Sequence, residues 1–265
     1  MSEIEEVMID SEDDPELEEK LERIKELAQK RDLASTEEIF QLIKEQQDEH
    51  VIWTLVEDLP VLSLPEVAKK ALMNIFHTIE RGDYSPNSIV IEKLEDYWDE
   101  EVEAFLLDNI QDPDEMVRVA ICELLGRGES QAGIGALRML LQDEEWLVRG
   151  YAAQALGDIG NQEQKTFLQQ CLQSEESDWV QVNLYEALCQ LGERQYYTSL
   201  LDLLDSPSYH TRIICTSALV ELVEKQDVEL ILKRFRQRLL IEDAYSVECH
   251  LQDKIAYLEE TFYGN

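Results

Sequence analysis

The residue types that ordinarily carry chemistry are present, but not at spacings that would let them act together. The four histidines, at positions 50, 77, 210 and 250, never stand four residues apart, so no helix would offer two imidazoles to one metal, and H-E-x-x-H is absent. Cys122, Cys171, Cys189, Cys215 and Cys249 include no C-x-x-C pair. Most of them fall on apolar helical stripes and read as small buried hydrophobes of a reducing compartment. A glycine-rich phosphate loop, G-x-S-x-G and a calcium loop are missing as well. The acidic turn at 112–115 lacks the glycine and the distant glutamate that calcium requires. The expectation is a protein without catalytic residues, metal or cofactor.

These side chains are suited instead to attracting and holding a partner. Fifty-eight acidic residues against 23 basic ones leave a formal charge of −35. Such a surface repels nucleic acid and anionic membrane and draws cationic partners inward. The charge is densest where Glu92, Glu95, Asp96, Asp99, Glu100, Glu101 and Glu103 surround Tyr97 and Trp98, opposed by Lys93 alone. Acids gathered around aromatic rings suit a basic protein surface, with the rings supplying anchoring area. Trp146 and Trp179 stand just ahead of Val148-Arg149 and Val180-Gln181. They join the run as candidate partner-binding residues.

The elements that must position these residues are written as a repeat. From Asp112 to Gly160 an acidic turn, then Val-Arg, then an apolar helix ending in Leu-Gly occurs twice, with Asp112 and Asp143, Arg118 and Arg149, and Gly126 and Gly157 each 31 residues apart. The same step leads on to Ser174 and Asp205. A third copy carries one extra residue before Val180-Gln181, and a fourth keeps Arg212 and Ala218-Leu219. Segments such as 131–141, with Ile134, Leu137 and Leu141 at helical spacing, supply a first helix to each unit. Neither helix of a pair buries its apolar face alone, so pairs must stack. Turn acids favour helix N-termini, and Asp112, Arg118, Asp143, Arg149, Asp205 and Arg212 are expected to form a structural ladder of ion pairs between repeats.

The pattern of acidic turn, Val-Arg and Ala-x-x-Leu-Gly-x-Ile-Gly, best seen in VRGYAAQALGDIG at 148–160, resembles HEAT repeats in the short bacterial form also found in phycobilisome lyases. The resemblance is strong over 112–192, fades beyond about 224 and is weak upstream. It implies an all-α, right-handed α-solenoid of stacked HEAT-like helical hairpins. It leaves function open, since such scaffolds serve scaffolding proteins, inhibitors, lyases and nucleic-acid enzymes. Iron-dependent hydroxylases of this architecture carry His-Glu dipeptides, which this chain lacks, and its glycosylases need a basic groove.

Four regions follow: an acidic, disordered tail at 1–14; an N-terminal cap and degenerate repeats at 15–110; HEAT-like repeats at 111–224; and capping helices at 225–265. Arg81-Gly82-Asp83 reads as a helix stop, and Lys233, Arg234, Arg236 and Arg238 as partners for neighbouring acids. No apolar run is long enough for a bilayer and no leader pattern opens the chain, so a cytoplasmic monomer is expected. The functional expectation is a non-catalytic solenoid whose acidic surface engages a basic protein. In its most concrete form it is an inhibitor or immunity protein occluding a cationic toxin. The alternatives are a scaffold or assembly factor and a bilin-lyase-like protein.

Overall fold

The computed structural model describes residues 87–264 throughout, and before them 32–44, 65–77 and scattered positions between Glu19 and Val56. The expected acidic tail, most of the cap helix and the Arg81-Gly82-Asp83 turn lie outside the described residues. The fold is all-α, and no strand occurs among the described residues. The chain divides into two compact units, Met1–Leu124 and Leu125–Asn265.

The first unit contains α1 (Leu33–Lys44), α2 (Pro65–Phe76), α3 (Asn87–Lys93), α4 (Glu100–Asp108) and most of α5 (Glu115–Arg127). Pro65 opens α2, where its missing N–H costs nothing and its fixed φ suits a first turn. Leu72, Ile75, Phe76, Ile91, Leu94 and Leu106 are fully or almost fully buried. Phe76 meets Phe105 edge to face with ring centroids 5.3 Å apart.

The second unit holds four helical hairpins: α6 (Ile134–Leu140) with α7 (Trp146–Asp158), α8 (Lys165–Ser174) with α9 (Asp178–Gln190), α10 (Tyr197–Leu203) with α11 (Tyr209–Glu221), and α12 (Val228–Leu239) with α13 (Tyr245–Tyr263). In each hairpin the two helices pack together, and the second helices stack in series, α7 on α9, α9 on α11 and α11 on α13. This is the expected solenoid architecture. In α12, Val228, Ile231, Leu232 and Phe235 are buried at three- and four-residue spacing while Glu229, Lys233 and Arg236 face solvent. Each such Leu, Ile or Phe contributes about 1.5–3 kcal/mol through burial. The α7–α9 approach is close, and Gly157 permits it, since a Cβ there would lie 2.8 Å from the Ala187 Cα.

The last hairpin is tied to its neighbour by charge. The Arg212 Nη2 and Nε reach the two Glu242 oxygens at 2.5 and 3.0 Å, and Arg238 Nε adds a third contact at 2.9 Å. Glu242 is 0% and Arg212 5% exposed at the side chain. Burial alone would raise the Glu242 carboxyl, but hydrogen bonds from Arg212 and Arg238 and from the Ala244 N–H bring it down to about 2. The arginines of α12 are also engaged internally, Arg234 and Arg238 with Asp205 and Arg236 with Glu259.

Removing one partner of a buried pair leaves the other charge uncompensated. Glu242→Ala is expected to destabilise the chain by about 3–5 kcal/mol in urea denaturation. A loss below about 1 kcal/mol would show the pair to be energetically idle.

Candidate functional site

The acidic run of the first unit is partly occupied by structure. Asp99 caps α4, its Oδ1 accepting from the N–H groups of Glu101 and Val102 at 3.0 and 2.9 Å. Lys69, 8% exposed at the side chain, places its Nζ 2.6 Å from Asp99 Oδ2 and 2.8 Å from Glu101 Oε2. Hydrogen bonds to these two acids hold the Lys69 ammonium above its usual range. Glu92, Glu95, Asp96 and Glu100 are exposed, whereas Glu103, Tyr97 and Trp98 are half-buried. The run is therefore a cap and a clamp as well as a charged face.

The repeat turns follow a tighter rule than the 31-residue step. Six residues separate Asp112 from Arg118, Asp143 from Arg149, Glu175 from Gln181 and Ser206 from Arg212. In each case the later side chain folds back onto the turn carbonyls. Arg118 Nη1 donates to the Asp112 carbonyl at 2.7 Å, and Arg149 Nη1 to those of Asp143 and Glu144 at 2.9 and 3.0 Å. Gln181 Nε2 donates to the Glu175 carbonyl at 2.7 Å, and Arg212 Nη1 to that of Ser206 at 2.9 Å. The side chain of the turn residue accepts the N–H two residues on, as Asp112 does from Asp114, Asp143 from Glu145 and Glu175 from Ser177.

Between repeats, Arg149 reaches across to Glu175 with Nε–Oε2 2.8 Å and Nη2–Oε1 3.1 Å, as Arg212 does to Glu242. Burial works against the Glu175 carboxylate, but Arg149 and the Ser177 N–H outweigh it and hold its pKa below the ordinary range. Asp112 and Asp143 cap their own turns, and the acids facing Arg149 and Arg212 are Glu175 and Glu242. At the fourth turn the ladder residue is Ser206, because the extra residue of the third copy shifts the phase by one. Asp205 instead meets Arg234 and Arg238 at 3.2 and 3.5 Å. The six-residue spacing was the signal that would have identified Glu175 and Ser206.

Stacking the second helices brings their first residues side by side. Trp146 opens α7, Trp179 is second in α9, and their rings meet edge to face at 5.0 Å. Tyr151 lies 5.8 Å from the Trp179 ring. Gly150 makes the slot: a Cβ there would stand 1.9 Å from a Trp179 ring carbon. Trp146 remains 45% exposed. The rings line an open groove of about 660 Å³ together with Arg149, Glu176, Asp178 and His210. Thus Trp146 and Trp179, candidates at separate places in the sequence, lie together in one groove, whereas Tyr97 and Trp98 belong to the other unit.

On another part of the second helices, Glu186 of α9 is buried against Glu221 at the end of α11. Burial, then the charge of Glu221 and a hydrogen bond to it, push the Glu186 carboxyl up to about 8, with Asp158 adding to the effect. All five cysteines are free thiols. Among the described residues no cluster of His, Cys, Asp and Glu is arranged to hold a metal, and no helix is long and apolar enough to cross a membrane.

Comparison with known proteins bears on the architecture. Residues 103–188 match the family of HEAT repeats. No curated protein matches this sequence. Among solved structures, the complex of CpcE and CpcF of phycocyanin lyase from Nostoc sp. PCC7120 contains a similar chain, with 16% identity and a TM-score of 0.57 over 83% of this chain and 94% of that one. An engineered protein is 16% identical over 79% of this chain and 97% of its own, with a TM-score of 0.40. The first likeness is one of fold.

Glu186 gives the stack a pH signature. Its folded pKa lies above the ordinary 4.5, so the folded chain holds a proton that the unfolded chain releases. The associated stability is full below pH 4.5 and is lost as pH rises through about 8. The melting temperature of Glu186→Gln should therefore fall less than that of the wild type over this interval. Parallel curves would place the shared proton elsewhere.

Proposed function

We propose that this chain is a non-catalytic protein-binding solenoid whose groove at 146–149, 175–179 and 208–211 receives a basic protein segment. One observation carries the reading: a half-exposed tryptophan, held edge to face on a second, borders carboxylates in a chain of charge −35. Arg149 is the one cation on the groove wall among the described residues, and Glu175 already matches its charge. The remaining field favours a cationic visitor, and aromatic rings beside carboxylates bind cations through both face and charge. The exposed acids of the 92–103 run add long-range attraction that raises encounter rates.

Inhibition of a cationic toxin and scaffolding of a basic partner are two uses of this one contact. A bilin-lyase role is not carried over from the phycocyanin lyase complex, because the likeness to it is one of fold.

The test uses a labelled ten-residue peptide of alternating Arg and Ser. Binding is expected to weaken steeply with salt, since the Debye length shortens to about 8 Å at physiological ionic strength. Trp146→Ala should raise Kd about tenfold, chiefly through faster dissociation. Reversing the exposed Glu92, Asp96 and Glu100 to Lys should slow association and leave dissociation unchanged; Asp99 is spared because it caps α4. Wild-type affinity in Trp146→Ala would contradict the proposal.

A further inference from the structure

The ladder of the second unit has one neutral rung. Where the neighbouring repeats place Arg149 and Arg212, the third places Gln181, which donates a single hydrogen bond, to the Glu175 carbonyl. The acid that would face a charged rung from the next turn is also replaced, by Ser206, whose hydroxyl donates to Asp178 Oδ2 at 2.8 Å. Rungs on either side each bring a guanidinium that two carbonyls and a carboxylate receive. At the third, Glu176 and Asp178 stand without a cation among the described residues. The groove opens here. Glu176, Asp178, Ser208, His210 and Thr211 line it together with the two tryptophans and the Arg149–Glu175 pair.

We propose that the partner completes this rung: the guanidinium of an arginine on its basic segment enters the groove, lies against Trp146 and hydrogen-bonds to Glu176 and Asp178. This rests on the reading of the groove as a site for a basic partner, and it names the side chain that enters. Arginine fits better than lysine for two reasons. Its planar fork serves two carboxylates from separate edges, and its weakly hydrated face stacks on an indole, whereas an ammonium is a compact, strongly hydrated point charge. The unit already uses this packing inside itself, with Arg138 over Phe167 and Arg194 over Tyr197, each 4.1 Å from the ring centroid. The surplus negative charge of the groove supplies the complementarity that selects a cation over an apolar side chain.

The experiment measures binding of the full chain to three labelled ten-residue peptides: alternating Arg and Ser, the same with Lys, and the same with neutral citrulline. At physiological salt the Arg peptide should bind about tenfold more tightly than the Lys peptide, and the citrulline peptide should not bind. Gln181→Arg supplies the rung from within and should weaken the Arg peptide about tenfold while leaving the melting temperature unchanged or higher. Glu176→Gln, a substitution at an exposed position, should weaken it to a similar degree. Wild-type affinity in both variants, or equal affinity for the Lys and Arg peptides, would overturn the proposal. So would a chain that is dimeric as purified and becomes monomeric in Trp146→Ala, since a second copy would then fill the groove. If the Arg peptide binds tightly and is lost only on reversal of Glu92, Asp96 and Glu100, this proposal fails while attraction of basic partners stands. Absence of binding at low salt defeats both.

Discussion

Every second helix of this repeat begins with backbone groups that its own hydrogen-bond ladder cannot satisfy, and the preceding turn leaves carbonyls facing the same way. A six-residue device answers both needs. The turn residue caps a nearby N–H, and the arginine six positions later returns to the turn carbonyls. The remaining edge of the guanidinium is then free to cross to the next turn, as Arg149 does to Glu175 and Arg212 to Glu242. A local solution thereby becomes a contact between repeats. It fixes the start of α7 relative to that of α9 and the start of α11 relative to that of α13, and the first of these pairs carries Trp146 and Trp179.

The same device shapes the electrostatics. The chain has few cations, and many of them are consumed internally: Lys69 on the cap of α4, Arg149 and Arg212 in the ladder, and Arg234, Arg236 and Arg238 along α12. Cations held at fixed structural positions leave the acidic surplus facing water. This gives the surface a field of one sign without requiring that every acid take part in binding. The exposed pairs within this scheme are worth little individually, while the buried Arg212–Glu242 pair matters because desolvation magnifies the loss of either partner.

Much of the architecture was legible in the sequence because a 31-residue period and helical apolar spacing constrain the fold at many positions together. The site was legible in pieces. Trp146 and Trp179 could be picked out one by one, but their contact depends on how closely α7 and α9 approach, which rests on Gly150 and Gly157 accepting side chains from the neighbouring helix. The acid of the fourth turn was misplaced for a different reason. A fixed step counted through the one-residue insertion lands on Asp205, where acid is abundant enough for a wrong register to look right. The six-residue spacing within each turn is immune to insertions elsewhere. The acidic run showed the reverse difficulty, since composition alone does not reveal that Asp99 caps a helix and, with Glu101, clamps Lys69.

The dependence of the stack on its ladder is tested most directly by a double-mutant cycle on Arg149 and Glu175. These side chains are 20% and 10% exposed and joined by two hydrogen bonds across neighbouring repeats. Chemical denaturation of Arg149→Ala, Glu175→Ala and the double variant should give a coupling energy of about 1.5–3 kcal/mol, the range for charged hydrogen bonds shielded from solvent. Single-variant losses that add to within about 0.5 kcal/mol would show that the two residues stabilise their own turns independently and that the rung does not hold the repeats together.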